Sequence, residues 1–215
     1  MSDLSALDLL DKGGLLIWPI IVCSLIGTTI FFERLALYRK IQKYFAHYKP
    51  NYQTLFAGDL QAAKNKLQQN SNELTADKRI LIEALSLENP DHDTMELVLS
   101  HSVEREVFSL SRTLNTLAVI ASVCPLLGLL GTVIGMIKAF AVVENLGGSV
   151  NASVLAGGIW EAMLTTAVGL LVAIPLLFFH NHLESRLHLI QAELEEVAIA
   201  YMKLWSKHHN SQHHN

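Results

Sequence analysis

Residues 114–140 read LNTLAVIASVCPLLGLLGTVIGMIKAF. From Leu114 to Ile137 the stretch carries no charge over about 24 residues, long enough for a helix to cross a bilayer. Gly128, Gly131 and Gly135 follow one another in steps of three and four, so they share one helical face. Helices in lipid associate by close approach at small residues, because meeting gains them no hydrophobic energy. We therefore expect this glycine face to pack against another helix.

Two further residues of this stretch bear on its role. Pro125 precedes the glycine face and is assigned to the same packing set. Thr132 places a hydroxyl near mid-span, where it must bond its own backbone or line something polar. On this span alone, a helix contact with a back-bonded threonine is the favoured interpretation.

The composition is that of a membrane protein. Of the 215 residues, 51% are hydrophobic and only 17% are charged, against about 25% in soluble domains. The net charge of −4, without a basic stripe outside the membrane flanks, predicts no nucleic-acid partner. Cys23 and Cys124 lie in apolar runs without a metal-ligand spacing, so we expect neither a disulfide nor a zinc site.

A first membrane helix is predicted over residues 13–35, after an outer-side segment, 1–12, too acidic for a cleaved signal peptide. Its apolar run, GGLLIWPIIVCSLIGTTIFF, is followed by a positive cluster at Arg34, Arg39, Lys40 and Lys43. Because positive residues collect on the cytoplasmic side, the N-terminus is predicted to be periplasmic and the C-terminus cytoplasmic.

The polar region 36–112 is predicted to be helical and cytoplasmic. An apolar stripe in steps of four and three enters the central span without a turn residue, at Val103, Val107, Leu110, Leu114 and Leu117. The second membrane helix, 113–143, is thus predicted to be the upper half of one long helix. A short periplasmic loop, 144–154, follows, and Lys138 near it is expected to snorkel to the outer interface.

The third membrane helix is predicted over residues 155–179. Glu161 lies near its outer end, Thr165 and Thr166 follow, and Gly169 and Ala173 form a second small-residue face.

Beyond the third span, residues 180–207 are predicted to form a cytoplasmic helix. Its heptad-like stripe comprises Leu183, Leu187, Ile190, Leu194, Val197, Tyr201 and Leu204. The stripe is expected to pack on the helix leading into span two or on a neighbouring copy. The histidine-rich tail, 208–215, could bind metal, but disorder is the favoured interpretation.

The spans contain no ionisable group near the bilayer centre, where pumps and proton carriers normally place one. Two hypotheses follow. The chain is a passive scaffold for partner helices, or it is one wall of a proton pathway whose titrating group belongs to another chain. The polar groups available for such a pathway are those of Thr132, Thr165, Thr166 and Glu161. No catalytic triad, H-E-x-x-H or phosphate loop occurs, so we expect neither an enzyme nor a cofactor or metal site.

Two blocks of this sequence, 125–140 and 155–175, resemble the paired signature of the MotA/TolQ/ExbB proton-channel family. The pattern G-L-x-G-T-V-x-G is met by Gly128, Leu129, Gly131, Thr132, Val133 and Gly135. The pattern G-I-x-E-A-L-x-x-T-A-x-G-L is met by Gly158, Ile159, Glu161, Ala162, Thr166, Ala167, Gly169 and Leu170, with Met163 in place of leucine. Within the family the chain is most similar to the ExbB type.

The resemblance implies a homopentameric ring in the inner membrane, whose pore holds single membrane helices of an ExbD-like partner bearing an aspartate. Protons passing through that aspartate would drive motion that a TonB-like protein carries to outer-membrane receptors. Thr132 and Thr166 match the family's pore-facing threonines, and Glu161 matches its acidic position. A TolQ-like role in cell-envelope integrity, with TolR-like and TolA-like partners, shares both blocks and remains an alternative.

The expected fold class is an all-α membrane protein with three transmembrane helices. The second and third are expected to extend into the cytoplasm. In an isolated subunit, the two glycine faces and the 183–204 stripe are expected to be covered only in part. We therefore predict an obligate homo-oligomer, and the family resemblance sets the number at five.

Overall fold

The computed structural model describes residues 14–56, 75–87, 90–145 and 152–212. Within these ranges the chain forms four helices and no strand: α1 (Ile17–Phe56), α2 (Ala76–Leu85), α3 (His92–Asn145) and α4 (Ala152–Gln212). Three of them contain segments long and apolar enough to cross a membrane, within Ile17–His47, His92–Glu144 and Leu155–Lys207. The predicted all-α class with three spans is confirmed.

The long helices continue beyond the membrane segments that the sequence predicts. Helix α3 is uninterrupted from His92 to Asn145, which confirms the prediction of one helix leading into the second span. Helix α1 begins at Ile17, after Gly14 has taken a left-handed φ of 70° that favours glycine, and it continues to Phe56. Pro125 and Pro175 are accommodated inside α3 and α4, as proline is in membrane helices when neighbours satisfy the freed groups.

The structure of the histidine-rich tail differs from the one predicted from the sequence. Helix α4 continues to Gln212, so the disorder expected from residue 208 is wrong for residues 208–212. No glycine or proline interrupts this part of the chain, and the rings of Trp205 and His209 stack at 5.1 Å one helical turn apart. The predicted outer segment 1–12, most of the predicted loop 144–154 and residues 213–215 lie outside the described residues.

The chain divides into two compact units, which are described separately. The first unit comprises Met1–Arg34 and Thr113–Leu183 and contains the three apolar helix segments. Helix α1 packs here through Gly27, where a methyl group would lie 2.7 Å from Leu176 and 3.4 Å from Leu117. The rings of Phe31 and Phe179 stack at 4.0 Å. These contacts hold α1 against both α3 and α4.

The second unit comprises Leu35–Arg112 and Glu184–Asn215. Its core takes large side chains from all four helices: Tyr38 and Phe45, Ile80 and Leu81, Met95 and Leu99, and Ile190, Leu194 and Tyr201. Polar contacts join the helices around this core. The Tyr38 hydroxyl donates to the Leu110 carbonyl at 3.0 Å, and Arg186 donates to Gln42 at 2.7 Å.

This packing corrects the expectation for the apolar stripe of α4. Leu187, Ile190, Leu194, Val197 and Tyr201 are all less than 9% exposed within a single chain. These residues therefore do not need a neighbouring copy to cover them, because they are already buried within the unit. The oligomer prediction loses this part of its argument.

Asp77 is a buried carboxyl in the first turn of α2, with no exposed surface. The Tyr44 hydroxyl donates to its Oδ2 at 3.2 Å, while Oδ1 is buried without a hydrogen-bond partner of good geometry among the described residues. Burial raises the pKa of Asp77, and the hydrogen bonds from Tyr44 and nearby backbone amides oppose the shift only in part.

Replacing Asp77 with asparagine is expected to stabilise the chain near neutral pH. Above the raised pKa the folded state must hold a buried carboxylate. Below the unfolded pKa both states are protonated and this cost disappears. We expect the variant's melting temperature to exceed the parent's by about 2–4 °C at pH 7 and to match it near pH 3. A constant difference across that range would contradict the argument, and Asp93→Asn, at an exposed position, is the matched control.

Candidate functional site in the membrane spans

The small-residue faces of α3 and α4 pack directly against each other. A methyl group on Gly169 would lie 2.7 Å from the Cys124 carbonyl oxygen, and one on Gly128 would lie 3.0 Å from the Thr166 Cα. One on Gly135 would lie 2.8 Å from the Ala162 Cβ. Contacts this short leave no room for a side chain, so the two helix backbones are as close as glycine allows.

The geometry agrees with the packing role expected for these residues. It does not agree with the expectation that an isolated subunit leaves them partly uncovered. Gly128, Gly131, Gly135, Gly169 and Ala173 are buried within one chain. The glycine faces were expected to be covered only in part in an isolated subunit, and that expectation is wrong. They serve first to join α3 to α4 inside the subunit.

Thr166 makes a polar contact across this helix pair. Its hydroxyl donates to the Gly128 carbonyl at 2.8 Å. In an α-helix the carbonyl of residue i also accepts the backbone N–H of residue i+4, which for Gly128 is the N–H of Thr132. The two threonines that the sequence motifs single out are thus linked through one carbonyl group.

The Thr132 hydroxyl donates to the Leu129 carbonyl at 2.6 Å, within its own helix. This is the local bonding that the sequence favours for a hydroxyl in lipid. The side chain is half-buried and borders an open recess of about 580 Å³ on α3. Apart from Thr132 and Glu144, the recess is lined by apolar residues, namely Val133, Met136, Ile137, Phe140 and Ala141.

Thr165 is placed differently from Thr166. It is only 2% exposed, its side chain contacts Gly131, and its hydroxyl donates to the Glu161 carbonyl at 2.9 Å. Within one chain it is therefore enclosed between α3 and α4. The structure does not bring it to the surface that Thr132 borders.

The side chain of Glu161, on α4, lies against Gly14, just before the start of α1. A methyl group on Gly14 would lie 2.5 Å from Glu161 Oε1, so the carboxyl group rests against a residue whose φ of 70° already requires glycine. Glu161 is five residues from Thr166, or about 140° around the helix, so the two side chains point to different sides. The structure does not bring Glu161 together with the two linked threonines.

Other chemistry in the described residues is limited. Cys23 and Cys124 are free thiols, and they lie close enough to interact. No group of three or more histidine, cysteine, aspartate or glutamate side chains is arranged to hold a metal ion in the part of the chain that the structure describes.

Sequence reasoning missed two glycines of the close-packed set, Gly158 and Gly27. A methyl group on Gly158 would lie 2.7 Å from the Ala139 Cβ, which extends the α3–α4 contact one turn beyond Gly135. Gly27 allows a similarly close contact of α1 with Leu176 on α4. The signal for Gly158 was present in the spacing, because 158, 162, 165, 169 and 173 are small residues in steps of four, three, four and four.

Comparison with known proteins agrees with this arrangement. The family model described as the MotA/TolQ/ExbB proton channel family matches residues 63–196, more than half of the chain. The chain belongs to the MotA/TolQ/ExbB proton channel family. With its three apolar helices, this membership makes it a multi-pass inner-membrane protein.

Relatives in the MotA/TolQ/ExbB family cover nearly the whole chain. It is 32% identical to the putative biopolymer transport protein ExbB-like 3 of Synechocystis sp., over 89% of this chain and 92% of the relative. It is 30% identical to the biopolymer transport protein exbB1 of Vibrio cholerae, over 92% and 87%. It is also 29% identical to the Tol-Pal system protein TolQ of Haemophilus influenzae, over 89% and 90%.

Proposed function

We propose that the chain is an ExbB-like subunit of a proton-driven inner-membrane motor. With an ExbD-like partner, it would energise TonB-dependent transport across the outer membrane. Family membership and relatives named as biopolymer transport proteins support the channel and transport class. The observation that carries the proton route is the hydrogen bond from the Thr166 hydroxyl to the Gly128 carbonyl, beside Thr132.

The chemistry of this pair suits a proton on a partner's carboxyl group. A hydroxyl that donates to a carbonyl keeps its lone pairs as acceptors. A protonated carboxyl in lipid must find an acceptor for its O–H, because water is scarce there. Thr132 and Thr166 would offer such acceptors, and the recess beside Thr132 offers an apolar surface for the partner's single helix. Thr165 and Glu161 would support the helices that carry these hydroxyls.

The proposed assembly is a homopentamer around the ExbD-like helices. Large apolar side chains remain exposed on the membrane segments of a single chain, including Leu129, Val133 and Ile137 on α3 and Leu171 and Ile174 on α4. Lipid or neighbouring copies would cover them. Native mass spectrometry of the detergent-extracted protein tests the assembly, and a dominant monomer would contradict it.

The hydroxyl role is tested by Thr132→Val and Thr166→Val. In an ExbB-deficient host, each is expected to lower iron-siderophore uptake roughly five- to tenfold, the rate equivalent of a lost hydrogen bond of about 1 kcal/mol. Assembly should be unchanged, and Thr166→Ser, which keeps the hydroxyl, should retain uptake. The matched control is Thr29→Val, whose exposed hydroxyl bonds Leu25 within α1. Uptake at the parent level in both valine variants would leave a passive scaffold as the function.

A TolQ-like role in envelope integrity is the second candidate, because the TolQ relative is nearly as similar as the ExbB relatives. Its partners would be TolR-like and TolA-like. Expressing the chain in hosts that lack either ExbB or TolQ separates the two roles. Restored siderophore uptake supports the first, and restored detergent resistance supports the second.

The proposed topology places the N-terminus in the periplasm, residues 36–112 in the cytoplasm, residues 144–154 in the periplasm and the C-terminus in the cytoplasm. The positive cluster after the first apolar run supports it. A membrane-impermeant thiol reagent applied from the outer side is expected to label Ser149→Cys but not Asn70→Cys. The reverse pattern would overturn the orientation.

A further inference from the structure

Arg34 is a half-buried cation whose one ion pair among the described residues is a long contact with the exposed Glu33. Its side chain is 16% exposed, and its Nε is buried with no hydrogen-bond partner in the part of the chain that the structure describes. The nearest carboxylate, Glu33, is 4.0 Å away and has a side chain 63% exposed, so most of its charge is solvated. A guanidinium this far removed from water needs an anion or strong acceptors.

The hydrogen bond that Arg34 makes to a described residue brings a second donor group to the same place. Arg34 Nη2 donates to Thr113 Oγ1 at 2.5 Å. Since the threonine oxygen accepts from the arginine, its own O–H remains available to donate. The guanidinium and the threonine hydroxyl together form a cluster of donors, joining α1 to α3 within the first unit.

The position of this pair in the sequence identifies its level in the membrane. Arg34 directly follows the uncharged residues 14–32 and Glu33, while Thr113 directly precedes the uncharged run of the second span. Both residues thus stand where an apolar run meets polar sequence, which is the level of the lipid headgroups. Arginine binds phosphate with a planar, bidentate fork.

We propose that Arg34 and Thr113 bind the phosphate of an anionic phospholipid at the membrane interface. The guanidinium holds the phosphate oxygens and the Thr113 hydroxyl donates a further hydrogen bond. Lys40 and Lys43 follow on α1 and favour a lipid with net negative charge over a zwitterionic one. The site needs no particular orientation of the chain, since phosphates lie at both faces of a bilayer.

The test is retention of phosphatidylglycerol and phosphatidylcholine by the full-length protein, counted per chain by native mass spectrometry after detergent extraction. The parent is expected to retain phosphatidylglycerol selectively. Arg34→Gln should reduce that retention at least about fivefold, as expected for loss of a charged bidentate contact. Arg39→Gln, the same change at an exposed position of α1, should leave it nearly unchanged.

Two more conservative variants test the site even if Arg34→Gln fails to fold. Thr113→Val keeps the charge but removes one donor, and Arg34→Lys keeps the charge but removes the fork. Each is expected to retain phosphatidylglycerol about two- to threefold less well than the parent. Parent-level retention in both would overturn the proposal.

Three other outcomes would also overturn it. Equal losses in Arg34→Gln and Arg39→Gln would indicate general surface attraction. Equal retention of both lipids by the parent would show no anion selectivity. Displacement of phosphatidylglycerol by equimolar glycerol phosphate would show that the site takes a free phosphate and needs no acyl chains.

Discussion

Gly169→Leu is expected to remove most of the folded protein. A methyl group at this position would already lie 2.7 Å from the Cys124 carbonyl oxygen and 3.2 Å from the Gly128 Cα. Both are backbone atoms that cannot rotate away, so a leucine must force α3 and α4 apart along their whole contact. Overpacking typically costs about 1–3 kcal/mol and more when backbone must move. The free energy of unfolding of natural proteins is only about 5–15 kcal/mol in total.

The measurement is the yield of monodisperse protein after detergent extraction, together with its melting temperature. Gly157→Leu is the matched control, because it makes the same substitution in the same helix where nothing lies within 4 Å. Both changes raise helix propensity by about 0.8–1 kcal/mol, so the difference between them reports packing alone. Equal yields and melting temperatures would show that α3 and α4 do not meet at this register.

This result would also bear on assembly. Since the glycine faces are buried within one chain, a bulky residue there should first destabilise the subunit itself. Gly131→Leu should behave as Gly169→Leu does, because a side chain at Gly131 would meet the buried Thr165 side chain. A stable monomer from either variant would restore a direct role of these faces between copies.

Arg79→Met is the second change with a large expected effect. Arg79 donates through Nε and Nη2 to Glu106 at 2.8 and 2.5 Å, and the Glu106 side chain is only 9% exposed. Removing the arginine leaves a buried carboxylate without its main partner. Breaking a buried pair costs about 3–5 kcal/mol, but Arg79 is 42% exposed, so solvent screening reduces the expected loss to about 1–3 kcal/mol.

The neighbouring pair of Arg105 and Glu83 provides the control. Their side chains are 54% and 33% exposed, so Arg105→Met should cost under about 1 kcal/mol for the same loss of charge. In the double variant Arg79→Met with Glu106→Leu, most of the lost stability should return, since apolar side chains can replace a buried ion pair. A double variant as unstable as Arg79→Met alone would show that the buried charge is not the cause.

Most of the secondary structure follows from local patterns in the sequence. Apolar runs of about 20 residues can satisfy their backbone in lipid only as helices, so three spans follow from composition alone. The stripe from Val103 to Leu117 crosses the membrane boundary without a turn residue, and α3 is indeed continuous there. The helix ends were less predictable, because charged flanks such as 33–43 continue a helix as readily as they end one.

For the candidate site, the sequence motifs identified Thr132 and Thr166, but only packing shows that one carbonyl links them. Thr165 and Thr166 are adjacent and chemically identical, yet one hydroxyl turns to its own helix and the other crosses to α3. Helical rotation of about 100° between neighbours places them on different sides. Which side faces α3 depends on where α3 lies, and no local pattern contains that information.

The sequence by itself determined the helical class, the three spans and the small residues through which they pack, because these depend on transfer of backbone and side chains into lipid. Tertiary structure decided what the faces pack against. The glycine faces and the α4 stripe are covered by side chains and backbone of the same chain. Asp77 is buried and accepts a hydrogen bond from Tyr44, and Arg34 donates one to Thr113. Such pairings join residues far apart in the chain, and their energies depend on distance and burial that only the folded chain establishes.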